Sequence, residues 1–226
     1  MNWISSFFTS SLGKKVIMSL TGLFLILFLV VHLVGNLQLL ANDGGEKFNL
    51  YTKFMTTNPL IKTISYGLYA FILLHTVQGL ILWRQNRSAR RTRYAVASTK
   101  TSSFAARNMA YLGIVILIFL ILHLWQFWFQ MKIGSLEMIT YSGHEPVKDL
   151  YKVVDYAFGQ WWYVLFYVVS MFFLAFHLKH GLQSAFQSLG LNHRKYTPII
   201  KWIGSAYSIL VPLGFALIPL IIYLSR

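Results

Sequence analysis

The chain has 226 residues, 56% of them apolar and only 12% charged, with a mean hydropathy of +0.56. A water-soluble domain carries about 45–50% apolar and about 25% charged residues. An ordinary soluble enzyme and a disordered chain are therefore excluded, and the lack of any cysteine removes disulfides, thiolate metal sites, iron–sulfur clusters ligated by this chain and cysteine catalysis.

The first twelve residues place Trp3, Ile4, Phe7, Phe8 and Leu12 at near-helical spacing. That fits a short helix on a membrane surface or a frayed terminus. Crossing the hydrocarbon takes about 20 apolar residues in a helix rising about 1.5 Å per residue. Five segments are long enough, at approximately 16–40, 60–83, 109–131, 161–189 and 202–224. The first is too long for the apolar core of a signal peptide, and no small-residue cleavage site follows it, so a retained span is expected. The last contains Pro212 and Pro219, which membrane helices tolerate. The expected fold is an all-α membrane protein: one transmembrane domain over residues 1–226, five transmembrane helices, and a bundle made by the first four.

A net charge of +14 suggests a nucleic-acid binder until its distribution is traced. Five spans put the two termini on opposite sides. The side of the N-terminus holds thirteen Lys and Arg and no acid, seven of them in the segment Arg84–Arg107. The other side holds seven basic residues and all six acids, Asp43, Glu46, Glu137, Glu145, Asp149 and Asp155. Basic loops stay in the cytoplasm, so the N-terminus is expected inside. The charge is then topology, and no nucleic-acid partner is expected. The Arg84–Arg107 segment, with Arg90, Arg91 and Arg93, is a candidate docking surface for a soluble partner. The outer acids are candidates for relaying protons.

Ionisable side chains inside a bilayer are costly and point to function. The first four spans carry one intramembrane histidine each at His32, His75, His123 and His177, with His180 a turn beyond the last. His32 and His123 lie eight residues before the outer ends of their spans, and His75 lies eight before the inner end of its own. His177 lies nine to twelve before the inner end of span four. Eight residues are about 12 Å of helix, so His32 and His123 share an outer level while His75 and His177 share an inner one. Two pairs at two depths suit two stacked haems, each iron held by imidazoles from two helices. Six-coordinate iron of that kind transfers electrons and does not activate oxygen. Interhelical hydrogen bonding and proton relay are the other uses of such histidines. Gly35, Gly79 and Gly181 follow His32, His75 and His177 by three or four residues. Each can lie on the histidine's face and clear room for a flat macrocycle, or serve helix packing as small residues do.

The segments KVIMSLTGL (Lys15–Leu23), HLVGNL (His32–Leu37) and HLKHGLQSAFQSLG (His177–Gly190) carry a resemblance. The chain resembles the membrane-anchor cytochrome b subunit of succinate:quinone oxidoreductases, succinate dehydrogenase or fumarate reductase, in the class with a single five-helix anchor and two haem b groups. The resemblance covers nearly the whole chain. It implies axial ligands at His32, His75, His123 and His177, in that order. It favours His177 over His180, because glycines follow His177 after four and thirteen residues, at Gly181 and Gly190. It implies partners on other chains: a flavoprotein subunit with FAD, which holds the dicarboxylate active site, and an iron–sulfur subunit. It further implies a quinone as diffusible membrane substrate, menaquinone in this anchor class, a place in the respiratory chain and tricarboxylic acid cycle, and a multi-pass location in a bacterial inner (cytoplasmic) membrane. It spans both directions, succinate oxidation and fumarate reduction, and is compatible with a dimer of the whole complex. Two alternatives stand beside it: the cytochrome b of another respiratory oxidoreductase, and a haem-free transporter using the histidines for protons.

Overall fold

The computed structural model describes residues 2–88 and 104–226. Arg90, Arg91 and Arg93 of the candidate docking segment lie outside the described residues. Helix α1 (Trp3–Thr9) ends at Ser10, whose hydroxyl accepts a hydrogen bond from Gly13 N at 3.0 Å and so caps α2 (Ser11–Leu37). A 3₁₀ turn, Gln38–Leu40, extends α2. Then come α3 (Glu46–Thr57) and α4 (Pro59–Ser88). Asn58 starts α4 by accepting from the Leu60 and Ile61 amides, with Pro59 at the first helical position, where its missing N–H costs nothing. Helix α5 (Phe104–His123) passes through a π turn, Leu124–Phe129, into α6 (Gln130–Lys132). A two-stranded antiparallel ribbon, β1 (Met138–Ile139) with β2 (Val147–Lys148), leads to α7 (Leu150–Phe158), α8 (Trp161–Ser188) and α9 (Thr197–Leu224).

Five helices are long and apolar enough to cross a membrane: Ser11–Leu40, Pro59–Ser88, Phe104–Lys132, Trp161–Ser188 and Thr197–Leu224. Four of them outrun the apolar segments of the sequence, because helical backbone hydrogen bonding continues through the more polar residues that flank them. At 28–30 residues each is about 42–45 Å long, against about 30 Å of hydrocarbon. The fourth ends one residue early, at Ser188. The chain is mostly helical, as expected, with the short β1–β2 ribbon as a local addition. The ribbon forms where residues 138–148 lack an apolar period and Gly143, at φ 77°, turns the chain back.

Helix α2 packs on α4 and α8, and α5 packs on the same two helices. The first four spans therefore make a square with α2 and α5 on one diagonal and α4 and α8 on the other. Helix α9 lies outside the square, against α8 and α2, with both of its interior prolines buried.

The end that carries the acids is closed by a cap made of α3, the ribbon and α7. Its centre is Asn49, 0% exposed. The Asn49 amide donates to Tyr141 Oη and Asp149 Oδ1, both at 2.9 Å, and its carbonyl accepts from the Tyr151 amide at 2.9 Å. Asp149 also caps α7 through the Lys152 amide. Gly45 sits at φ 88°, where a Cβ would stand 2.2 Å from Tyr151 Cγ, so only glycine fits. Glu145 pairs with Lys53 at 3.1 Å, Glu137 with Lys152 at 2.6 Å, and Asp155 with Arg226 at 2.6 Å. Asp43 accepts from the Gly45 and Lys47 amides. Five of the six carboxylates are thus engaged in holding the cap.

Truncating Asn49 to Ala strands the Tyr141 hydroxyl and the Tyr151 amide and leaves Asp149 with the Lys152 amide alone. Each buried polar group left unpaired costs about 1–3 kcal/mol. Asn49→Ala is expected to lower the thermal midpoint in detergent and to speed amide exchange in α3 and α7 before the spans. Equal exchange in wild type and variant would show that the cap does not hinge on this residue.

Candidate functional site

The diagonal helices meet through their histidines. His32 on α2 and His123 at the end of α5 have ring centres 5.7 Å apart, with planes at 88°. His75 on α4 and His177 on α8 have ring centres 6.3 Å apart, with planes at 65°. Both contacts reach across the bundle between helices that are not packed neighbours. His180 has no ring contact with either pair among the described residues and stands one turn further along α8.

Three contacts fix the separation of the pairs. Tyr167 touches His123, and His177 follows Tyr167 by ten residues on α8. Gly22 lies against His75, with His32 ten residues on along α2; Gly113 lies against His177, with His123 ten residues on along α5. Ten residues rise about 15 Å. The two pairs are therefore stacked about 15 Å apart along the bundle.

At the outer level, His32 stacks on Phe28 at 5.1 Å and 20°, and Phe215 of α9 covers it at 5.6 Å. The Asn36 amide donates to the His32 carbonyl at 2.7 Å and lies 3.4 Å from the ring Nδ1. His123 stacks on Phe119 at 5.6 Å and 26°, and its Nδ1 is 3.0 Å from the buried Tyr167 hydroxyl. At the inner level, His75 Nδ1 is 3.2 Å from Thr21 Oγ1. His177 Nδ1 is buried with no hydrogen-bond partner, and so is Gln78 Nε2, three residues after His75.

These residues fit haem. A metal–imidazole bond is about 2.0 Å, so two imidazoles on opposite faces of one iron have ring centres about 6 Å apart; the observed separations are 5.7 and 6.3 Å. His75 and His123 have their Nδ1 atoms at hydroxyl oxygens, which leaves Nε2 as the metal-facing nitrogen, the usual arrangement of a ligating histidine. Among the described residues, no group of three or more His, Cys, Asp and Glu side chains could hold a bare metal ion. Two imidazoles per level suit an iron whose other four ligands come from a macrocycle.

The structure shows which side chains border these glycines. A Cβ on Gly35 would meet Tyr51 at 2.5 Å, one on Gly79 would meet the Met18 methyl at 3.4 Å, and one on Gly181 would meet the Met109 methyl at 4.0 Å. None of the three borders a histidine. The glycines that do are Gly22, whose Cβ would lie 3.2 Å from His75 Cε1, and Gly113, whose Cβ would lie 3.8 Å from His177 Cε1. Spacing within one helix finds only neighbours on that helix, and these two serve histidines of adjacent helices. Thr21, Tyr167 and Phe215 escaped sequence reasoning for the same reason. The signal for Thr21 and Gly22 is their presence together in the MSLTGL segment.

No family model, curated protein or solved structure matches the chain.

Gly22→Leu should drive a branched side chain into the His75 imidazole. If each imidazole pair holds a haem, the inner one should fall by at least half, with the outer one intact in a reduced-minus-oxidised spectrum. Gly181→Ala should leave both, since its Cβ meets only a flexible methionine tip. Retention of both haems in Gly22→Leu would remove Gly22 from the site.

Proposed function

We propose that this protein is the dihaem cytochrome b membrane anchor of a succinate:quinone oxidoreductase, carrying electrons between an iron–sulfur subunit and membrane quinone. The observation that carries the haem part is the pair of facing imidazoles at each of two levels. The choice of complex rests on the resemblance of the MSLTGL, HLVGNL and HLKHGL segments. Bound haem supplies a one-electron iron centre at each level.

The chain's own side chains do the rest. His32 and His123 would hold the outer group, and His75 and His177 would hold the inner one; two imidazoles per iron suit electron transfer and not oxygen activation. Phe28, Phe119 and Phe215 floor the outer imidazoles and keep water from them. Among the described residues, Gln78 Nε2 and His177 Nδ1 leave unspent hydrogen-bonding capacity at the inner level, and Tyr163 Oη, one turn beyond Tyr167, leaves it next to the outer one.

The segregation of charge supports a cytoplasmic N-terminus in a bacterial inner membrane. The acid-free end then faces the cytoplasm and receives the iron–sulfur and FAD-bearing flavoprotein subunits. The inner imidazole pair is the nearer to them. Menaquinone is the quinone this reading assigns.

Replacing His75 or His177 by Leu should remove the same haem from a redox titration, and replacing His32 or His123 should remove the other. His180→Leu should keep both, with at most a shift in the inner potential. Loss of one haem in both His32→Leu and His75→Leu would overturn the two-level assignment. A purified wild type without haem absorbance would overturn the cytochrome reading altogether. Affinity capture of the intact complex should bring down a flavoprotein with bound FAD. Capture of a molybdenum subunit in its place would move the protein to a different respiratory oxidoreductase.

A further inference from the structure

Thr21 is buried in α2, 3% exposed, and its Oγ1 faces three polar atoms. Two are backbone carbonyls of its own helix, Ile17 O at 2.8 Å and Met18 O at 3.2 Å. The third is His75 Nδ1 on the neighbouring helix, at 3.2 Å. A hydroxyl has one proton to donate and lone pairs to accept with. The carbonyls can only accept, so the Thr21 proton goes to the nearer of them, Ile17 O, and the lone pairs are left facing Nδ1. An imidazole that carries its proton on Nδ1 then adds a second hydrogen bond. The reverse arrangement, with Thr21 donating to Nδ1, makes one bond and leaves a proton on Nε2. In an apolar bundle the two-bond arrangement wins, since a hydrogen bond left unmade there has no water to replace it.

We propose that Thr21 is a positioning residue that fixes the His75 imidazole in its Nδ1–H form, so that the bare Nε2 is the nitrogen presented toward His177. Gly22 completes the device. It brings the α2 backbone close enough for Thr21 to reach the ring and leaves room for the imidazole edge, 3.2 Å from where a Cβ would stand. The Thr-Gly pair on span one therefore serves a histidine of span two, at the level opposite to His32 on the same helix. This gives the MSLTGL segment a role that spacing alone did not assign. The outer counterpart, Tyr167 at His123, is less constrained, because among the described residues no carbonyl claims its proton.

The proposal rests on the haem reading for its purpose but not for its test. Full-length protein in lipid, grown without haem and labelled at the histidine ring nitrogens, is measured by solid-state NMR. His75→Gln identifies the His75 signals. Wild type is expected to show His75 protonated at Nδ1 and bare at Nε2. Thr21→Val, which keeps the shape and removes the hydroxyl, should shift His75 to a mixture or to the Nε2–H form. Thr21→Ser should restore it, and the His123 signals should not move in either variant. An unchanged His75 tautomer in Thr21→Val would overturn the proposal, as would an Nε2–H form in wild type. In haem-loaded membranes, Thr21→Val should weaken retention at the inner level alone by about 10–100-fold, the usual effect of losing such a partner. A wild type that shows the expected tautomer but takes up no haem would sink the cytochrome reading and leave the Thr21 assignment standing.

Discussion

An imidazole in hydrocarbon has no water to satisfy its nitrogens, and this bundle carries one in each of four spans. Everything polar at that depth must be met by the protein itself. The solution is the same at both levels. Rings from diagonal helices face each other, at 5.7 Å for His32 and His123 and at 6.3 Å for His75 and His177. One member of each pair has its Nδ1 at a hydroxyl of a packed neighbour, Tyr167 or Thr21. This constraint orders the helices. The square needs α2 opposite α5 and α4 opposite α8, with the flanking helices supplying the hydroxyls. The fifth span has no such burden. It lies outside the square and contributes Phe215 to the floor under His32.

Stacking two such levels on four helices asks each helix to serve twice. Ten residues separate Gly22 from His32, Gly113 from His123, and Tyr167 from His177. Ten residues climb about 15 Å but turn about 1000°, which is about 80° short of three full turns. A helix with a histidine pointing at the bundle axis at one level therefore presents a different edge at the other. At that second edge α2 and α5 carry glycine, against a neighbour's imidazole, and α8 carries the tyrosine hydroxyl. On the proposed reading, the glycines admit the ligands of the inner level while the histidines on the same helices hold the outer level.

The five spans were legible in the sequence because the bilayer demands long apolar runs, and the grouping of histidines by depth follows from chain direction alone. The rest depends on what two helices present to each other, and one sequence is silent on that. Gly35, Gly79 and Gly181 have the right spacing on their own helices, yet they border Tyr51, Met18 and Met109. Thr21 and Gly22 look like ordinary small residues of a packed span until α4 is placed beside them. The cap is similarly hidden. Asn49 sits in a polar stretch with no visible period, and its partners are some ninety to a hundred residues away in Tyr141, Asp149 and Tyr151. The ribbon of two residues per strand is too short to leave a pattern.

The two ends of the bundle are built for different tasks. At the acidic end the chain covers itself. Asn49 ties α3 to the start of α7, three ion pairs clamp the surface, and Arg226 pins the last residue of α9's tail to Asp155 on α7. At the other end there is no carboxylate to pair with the basic side chains. Lys14 instead bonds the Gln85 amide at 3.2 Å, and Arg87 lies over the Trp83 ring. There α8 is closed by Gly190 at φ 73°, with the Leu191 amide returning to the Phe186 carbonyl. An excess of like charge at one end repels itself and favours an acidic partner over solvent. On the proposed reading, that partner is the soluble half of the complex, held at the end where the His75–His177 pair lies closest.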